Sequence, residues 1–169
     1  MSKKTAWLAA IAIMAGLASV PSALFGQGSL APSGGPAPTM RTLEQIEPRM
    51  PISNIPFSIT EPGSYYLTTN LFGTSGQGGI TIRVSRVSLD LSGFSMVGAT
   101  GSLNGIDIVN MDPDLVDIRI HNGIIRGWGN YGINALYADK NVFHDLALSS
   151  NAWDGIRAGD GNTIRDCTA

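Results

Sequence analysis

The sequence predicts an all-β solenoid, in which a parallel β-sheet is wound into successive coils. One observation is a strand that recurs four times, as a Gly-Ile pair, a polar residue, then Ile or Ala. The four copies begin at Gly79, Gly105, Gly132 and Gly155. Another is that a second strand-like run follows each copy, beginning at Val87, Val116, Val142 and Thr163. A period in the twenties is typical of proteins whose units bury their apolar faces only against neighbouring units. Beyond Gly79 no window of helical period is long enough for a crossover helix, which argues against a βαβ fold.

Residues 1–26 are predicted to be a secretory signal peptide. Lys3 and Lys4 precede an apolar run over residues 6–18, followed by small residues and Pro21. The run is shorter than the about 20 apolar residues that span a bilayer, although a retained anchor is the alternative interpretation. The signal predicts a secreted, periplasmic or cell-surface protein.

Two segments separate the signal from the repeats. Residues 27–40 are rich in Gly, Pro, Ser and Ala and are predicted to be a flexible linker. Residues 41–56 form the predicted N-terminal cap, in which residues 42–49 could hold a short helix. Thr42 and Gln45 fit a capping box, Pro48 stops the run, and Met50 would lie on the apolar side with Leu43 and Ile46. An unstructured lead-in is the alternative.

Residues 57–169 are predicted to form about four to five coils. Because side chains alternate between the two faces of a strand, the Ile after each repeated Gly would point inward. The polar residues then form one outward column: Thr81, Asp107, Asn134 and Arg157. In the second runs, we expect an inward column of Leu91, Ile120, Leu146 and Cys167, and we expect Asp90, Arg119, Asp145 and Asp166 to share the neighbouring outward position.

Charge and cysteine content exclude some classes of function. Without Lys3 and Lys4 of the signal, the 11 basic residues become 9, against 13 acidic residues. No stretch concentrates Lys or Arg, so the electrostatic surface expected of a nucleic-acid-binding protein is missing from the sequence. Cys167 is the single cysteine, and an intrachain disulfide is therefore impossible.

These residues resemble the right-handed parallel β-helix proteins of the pectate-lyase-like superfamily. The similar motifs are Gly-Ile-x-Ile (79–82), Val-x-Leu-Asp-Leu-x-Gly (87–93) and Asn-Gly-Ile-Ile-Arg-Gly (122–127). Residues 62–67, with Asn70 and Leu71, are similar to the opening segment of a secreted bacterial branch. The resemblance covers about residues 52–169 and implies the fold more specifically than any activity.

The resemblance implies an outer groove in which many members process polysaccharides. However, the polygalacturonase pattern, with its Asp-Asp pair and its Gly-His-Gly motif, is absent from the sequence. The acidic cluster of the calcium-assisted lyases also has no residue-by-residue counterpart. We therefore assign no catalytic residue, cofactor or metal ligand. The sequence favours an exported, non-catalytic module that binds polysaccharide or envelope components through its outer face. The alternative is a polysaccharide lyase or glycoside hydrolase whose active site is incomplete here.

The predicted ligand-binding residues combine aromatic rings with the polar column. Aromatic faces stack on sugar rings, while carboxylate, amide and guanidinium groups bind hydroxyls and carboxylates. Trp128 and Tyr131 precede the third repeated strand, and Trp153 precedes the fourth, so we expect the three rings at one corner. The residues of the predicted site are Trp128, Tyr131, Trp153, Asp107, Asn134 and Arg157. The alternatives are a solvated polar face and rings packed against the neighbouring turn.

Other candidates are weaker. Asp145 and Asp166 could form a catalytic carboxylate pair, but a ladder of cross-strand charge pairs is the simpler interpretation. His121, His144 and Cys167 lack metal-ligand spacing, and the Gly-Asp-Gly-Asn string at 159–162 is typical of a tight corner. Because the repeat stops inside a coil at Ala169, we expect further coils in a longer protein or end-to-end association.

Overall fold

The computed structural model describes residues 48–109 and 115–168. The predicted signal peptide, the linker, residues 41–47 of the cap segment and Ala169 lie outside these ranges. Within them, all regular structure is β-strand, and no helix is long and apolar enough to cross a membrane. The strands are β1 (Met50–Ile52), β2 (Phe57–Ile59), β3 (Gly63–Leu67), β4 (Leu71–Phe72), β5 (Ile80–Ile82), β6 (Val87–Asp90), β7 (Ser95–Val97), β8 (Ile106–Ile108), β9 (Arg119–Arg126), β10 (Ile133–Ala135), β11 (Val142–Ser149), β12 (Ile156–Ala158) and β13 (Thr163–Thr168).

The strands form two parallel sheets, as expected of a solenoid. The first sheet has the order β1-β3-β6-β9-β11-β13, and β4 and β7 extend it, with β7 pairing to the second half of β9. The second sheet has the order β2-β5-β8-β10-β12. Its five strands lie on five successive turns, which confirms the predicted all-β solenoid.

The core lies between the two sheets and follows the alternation of the strands. In the second sheet, Ile80, Ile106 and Ile133 are buried and stacked in register, with Ile82 and Ile108 buried beside them. Each such side chain contributes roughly 1.5–3 kcal/mol by leaving water. On the last described turn, Ile156 and Ala158 are only half-buried, since no described strand pairs with the outer side of β12.

Side-chain amides replace backbone partners at the corners between coils. The buried Asn141 accepts a hydrogen bond from the Ile118 amide through its Oδ1 at 2.8 Å, and its Nδ2 donates to the Leu115 carbonyl at 3.3 Å. Asn162 repeats the arrangement one coil later, accepting from the Asn141 amide and donating to the Ala138 carbonyl. These amides therefore satisfy corner backbone groups that have left the strand ladder.

The register of the first sheet differs from the one that we predicted. Ile120 pairs with Leu89 and Phe143 rather than with Leu91 and Leu146. Leu146 pairs with Cys167, as predicted, but its partner on the other side is Gly123 rather than Ile120. The difference arises on the third coil, where Val142 pairs with Arg119 and not with Val116, which lies before the start of β9.

The first rung of the solenoid begins inside the predicted cap segment. Met50 pairs with Tyr65 in β1, and Ile52 pairs with Leu67 and is fully buried. Met50 is therefore part of a strand, and its expected position on the apolar side of a helix is wrong. The remaining residues of that predicted helix, apart from Pro48 and Arg49, lie outside the described ranges.

Candidate functional site

The predicted polar column is present on the outer face of the second sheet. The register places Ser58, Thr81, Asp107, Asn134 and Arg157 on successive strands at one position. Neighbouring strands are about 4.8 Å apart, so these side chains form a continuous polar strip across the sheet. The alternation of three-residue strands produces the strip, since each central residue points away from the core.

A hydrogen bond joins the middle of this strip. The Asn134 Nδ2 donates to the Asp107 Oδ1 at 2.8 Å. The Asn134 Oδ1 is buried and has no hydrogen-bond partner among the described residues. The Asp107 carboxylate thus holds the amide in one orientation, and the amide keeps an acceptor that the protein itself does not use.

Arg157 connects the polar strip to an aromatic pair. Its Nη1 donates to the Tyr131 hydroxyl at 2.9 Å, and its Cζ lies 5.1 Å from the Tyr131 ring centroid. The Tyr131 and Trp153 rings meet edge to face, with centroids 4.9 Å apart and planes at 73°. Edge-to-face packing and a cation over a ring are both favourable arrangements, so the three side chains hold one another in place.

We call the group formed by Asp107, Tyr131, Asn134, Trp153 and Arg157 the aromatic–polar surface. Its indole is 60% exposed, whereas its other four side chains are half-buried. Trp153 also borders a cavity of about 500 Å³ on the last described turn, which Leu148, Ile156, Ile164 and Cys167 help to line. The surface therefore offers an open ring face beside a guanidinium, an amide and a carboxylate.

Trp128 does not lie at the predicted outer site. Its ring is 1% exposed and its Nε1 donates to the Met96 carbonyl at 3.3 Å, so it belongs to the core. The glycines of neighbouring turns make room for it: a Cβ at Gly73 would lie 2.8 Å from the indole, and one at Gly105 2.9 Å from Nε1. The prediction of three rings at one outer corner is therefore wrong for Trp128.

Sequence reasoning missed a second outward strip, on the first sheet. Tyr66, Asp90, His121, His144 and Arg165 occupy one register position on successive strands. The His121 and His144 rings are stacked, with centroids 4.8 Å apart and planes within 2°. The sequence contained an indication of this stacking, since His144 follows His121 at close to one repeat period.

Carboxylates flank the stacked histidines. The Asp145 Oδ2 lies 2.6 Å from the His144 Nδ1, and the Asp90 Oδ1 lies 3.9 Å from the His121 Nδ1. The hydrogen bond with His144 lowers the pKa of the Asp145 carboxyl. Burial lowers the pKa of His121, and the neighbouring His144 and Arg119 add to that effect while Asp90 opposes it.

The carboxylates proposed as a catalytic pair are instead engaged locally. Asp145 contacts the adjacent His144, and Asp166 accepts from the adjacent Arg165 Nη1 at 2.8 Å. Asp90 does not share their register position, because it pairs with His121. Among the described residues, no group of three or more His, Cys, Asp or Glu is arranged to hold a metal ion.

We compared the chain with models of known protein families, with curated proteins and with solved structures, and found no significant match in any of the three comparisons.

Proposed function

We propose that this chain is an exported, non-catalytic module that binds polysaccharide through the aromatic–polar surface. The observation that carries the proposal is the exposed Trp153 ring, held against Tyr131 and Arg157 beside a strip of hydrogen-bonding groups. Export rests on the predicted signal peptide, and the superfamily and right-handed winding rest on the motifs described above.

A sugar ring has an apolar face and a polar edge, and the aromatic–polar surface has groups that suit both. One face of a pyranose ring is largely apolar, and an aromatic ring can cover it with little loss of side-chain entropy, since Trp has only two side-chain dihedrals. The hydroxyls at the ring edge need donors and acceptors in fixed positions. Arg157, Asn134 and Asp107 provide such groups, and their mutual contacts reduce the cost of ordering them on binding.

The proposal is tested by measuring binding of the purified chain to a panel of neutral and acidic polysaccharides by affinity electrophoresis. We expect at least one polymer to retard the protein, and we expect Trp153→Ala to weaken its affinity by about tenfold or more, as is typical of a central aromatic contact. Phe72→Ala is the matched control, because Phe72 is 68% exposed and lies in the first sheet. Absence of retardation by every polymer, or equal affinities for the two variants, contradicts the proposal.

The alternative is a polysaccharide lyase or glycoside hydrolase. The observation that favours it is the placement of Asp107 and Arg157 on one face, on either side of Asn134. An acidic and a basic group so placed could act on a uronate polymer. The enzyme is supported if the chain releases unsaturated or reducing ends from pectate or alginate, and if Asp107→Asn abolishes this release while the fold is retained. If no ends are released, the non-catalytic binding module is favoured.

A further inference from the structure

A second cavity lies away from the aromatic–polar surface, at the corner where the chain enters the first sheet. Its volume is about 380 Å³. Three cationic side chains, one carboxylate and two hydroxyls line it: Arg86, Arg119, Lys140, Asp117, Ser64 and Ser88. Val87 and Ile118 also border it, but both are buried in the core. The cavity is a concave site with several convergent polar groups, and its volume falls within the usual range of ligand pockets.

The stacking of coils brings these residues together. Ser64 pairs with Ser88, Ser88 with Arg119, and Arg119 with Val142, so the three coils that carry the basic residues are in direct register. Arg86 and Lys140 each lie two positions before one of these paired residues. The basic groups therefore converge through the fold, although they belong to three different coils and form no cluster in the sequence.

The backbone at this corner is unusual for its side chains. Arg86, Asp117 and Lys140 have φ of 62°, 59° and 58°, in the left-handed region that glycine occupies at low cost. Gly161 takes the corresponding place on the next coil, with φ of 67°. Arginine and lysine at two such positions cost conformational energy that glycine would avoid, which points to a use for their side chains.

The cations are left unpaired by the rest of the described protein. Within the described ranges, the side chains of Arg86, Arg119 and Lys140 make no hydrogen bond or ion pair, and neither does Asp117. The cavity therefore carries a formal charge of about +2 on a chain whose total charge is −2. Its positive potential is local and opposite in sign to that of the whole chain.

We propose that this cavity binds the anionic group of an acidic glycan, either the carboxylate of a uronate or a sulfate ester. Two guanidinium groups match the geometry of an oxyanion, the ammonium adds a point charge, and the serine hydroxyls donate further hydrogen bonds. The choice of a glycan rests on the proposed function, whereas the preference for an anion rests on the cavity alone.

The test measures affinity by titration calorimetry with three probes: an oligogalacturonate, a sulfated dextran oligomer and a neutral dextran oligomer. We expect at least one anionic probe to bind and the neutral one to bind at least tenfold more weakly, with an affinity that falls as salt is added. The carboxylated and sulfated probes distinguish the two sources of the anion. Equal binding of all three probes, or no binding of either anionic probe, overturns the proposal.

Variants locate the site. Arg119→Gln and Lys140→Gln are each expected to reduce affinity about tenfold or more, the usual effect of losing a charge-assisted hydrogen bond. Arg126→Gln is the matched control, since Arg126 is an exposed arginine at the far end of the same strand as Arg119. Asp117→Asn is expected to raise affinity, a direction that a general loss of structure would not produce.

The result also separates this inference from the proposed function. If Trp153→Ala abolishes binding of the anionic probe while the cavity variants and Arg126→Gln leave it unchanged, the inference fails and the proposed function stands. If the cavity variants weaken binding and Trp153→Ala does not, the inference stands without the aromatic–polar surface.

Discussion

Trp128 and Trp153 precede repeated strands on successive coils, yet one ring is buried and the other is exposed. The main chain shows why. The Trp128 carbonyl accepts from the Ala152 amide, and the Trp128 amide donates to the Asn151 side chain. Trp153 instead donates its amide to the carbonyl of Asn130, which follows Trp128 by two positions. The two tryptophans therefore occupy different positions of the coil, and only their approximate distance from a Gly-Ile strand is shared.

The comparison shows that glycines on neighbouring coils decide whether a ring can enter the core. An added Cβ would lie 2.8 Å from the Trp128 indole at Gly73 and 3.0 Å from it at Gly79. At Gly98 the Cβ would meet the Trp128 Cα at 2.6 Å. Gly73 and Gly79 leave space for the indole, so a side chain on either would enter that space, whereas a side chain at Gly98 would meet the main chain of Gly127 and Trp128.

The largest expected effect is the difference in stability between the Trp128 and the Trp153 variants. Trp128→Ala should lower the free energy of unfolding by about 3–5 kcal/mol, because it opens a cavity among closely packed neighbours. Trp153→Ala should change it by no more than about 0.5 kcal/mol, as is usual for an exposed side chain. Urea unfolding followed by circular dichroism measures both, and equal losses in the two variants would refute the assigned burial.

A double-mutant cycle tests the glycine explanation directly. Gly73→Ala should be destabilising by about 1–3 kcal/mol, because the nearest atoms to its Cβ are those of the Trp128 indole. In the Trp128→Ala background that obstacle is gone, so the same substitution should be close to neutral. Unfolding free energies of the two single variants and the double variant give the coupling, which should be about 0.5–3 kcal/mol. A coupling near zero means that Gly73 is required for some other reason.

A smaller effect is expected at the asparagines that contact the main chain of the two tryptophans. Asn151 accepts from the Trp128 amide at 3.1 Å, so Asn151→Ala leaves that backbone donor without its partner and should cost about 1–3 kcal/mol. Asn130→Ala is the matched control, because the Asn130 side chain makes no hydrogen bond among the described residues, and it should be nearly neutral. Thermal unfolding of the two variants gives the difference, and equal melting temperatures would show that the amide does not support Trp128.

The polar strip of the second sheet could be predicted from the sequence, whereas the register of the first sheet could not. The Gly-Ile marker fixes the start of each short strand, and period-two alternation then places Asp107, Asn134 and Arg157 correctly. In the first sheet, the partner of Val142 is Arg119 rather than Val116, so the strand of the third coil begins later than its sequence pattern predicts. Ile120 therefore pairs with Leu89 and Phe143, and the local pattern of hydrophobic residues, which also fits a run that begins at Val116, does not reveal this register.

Contacts between coils could not be predicted from the sequence either. The register of Trp128 depends on the length of its corner, and its burial depends on glycines of earlier coils, from Gly73 to Gly105. The basic cavity depends in the same way on Arg86, Arg119 and Lys140 meeting across three coils. Strand patterns predict which face a residue occupies, but these sites also require the lengths of the connecting corners.

The smallest effect concerns the half-buried His121, which is intermediate between the two tryptophans. Burial lowers its pKa from the ordinary value of 6.5. Asp90 on β6 opposes this shift, as Asp145 does from β11, while His144 on β11 and Arg119 on its own strand add to it. As the pH falls below about 6.5, the unfolded chain binds a proton that the folded ring still excludes. Stability should therefore decrease with acid in this window.

Melting temperatures between about pH 7.5 and pH 5 test this effect. In His121→Gln the decrease should be smaller, because the titrating group is gone. In Asp90→Asn it should be steeper, because the group that raises the pKa of His121 has been removed. The contribution of Asp145, whose pKa is lowered from 3.8, is lost only at more acidic pH and does not interfere. An unchanged slope in His121→Gln would contradict the lowered pKa of His121, because it would show that the folded and the unfolded chain bind this proton equally well.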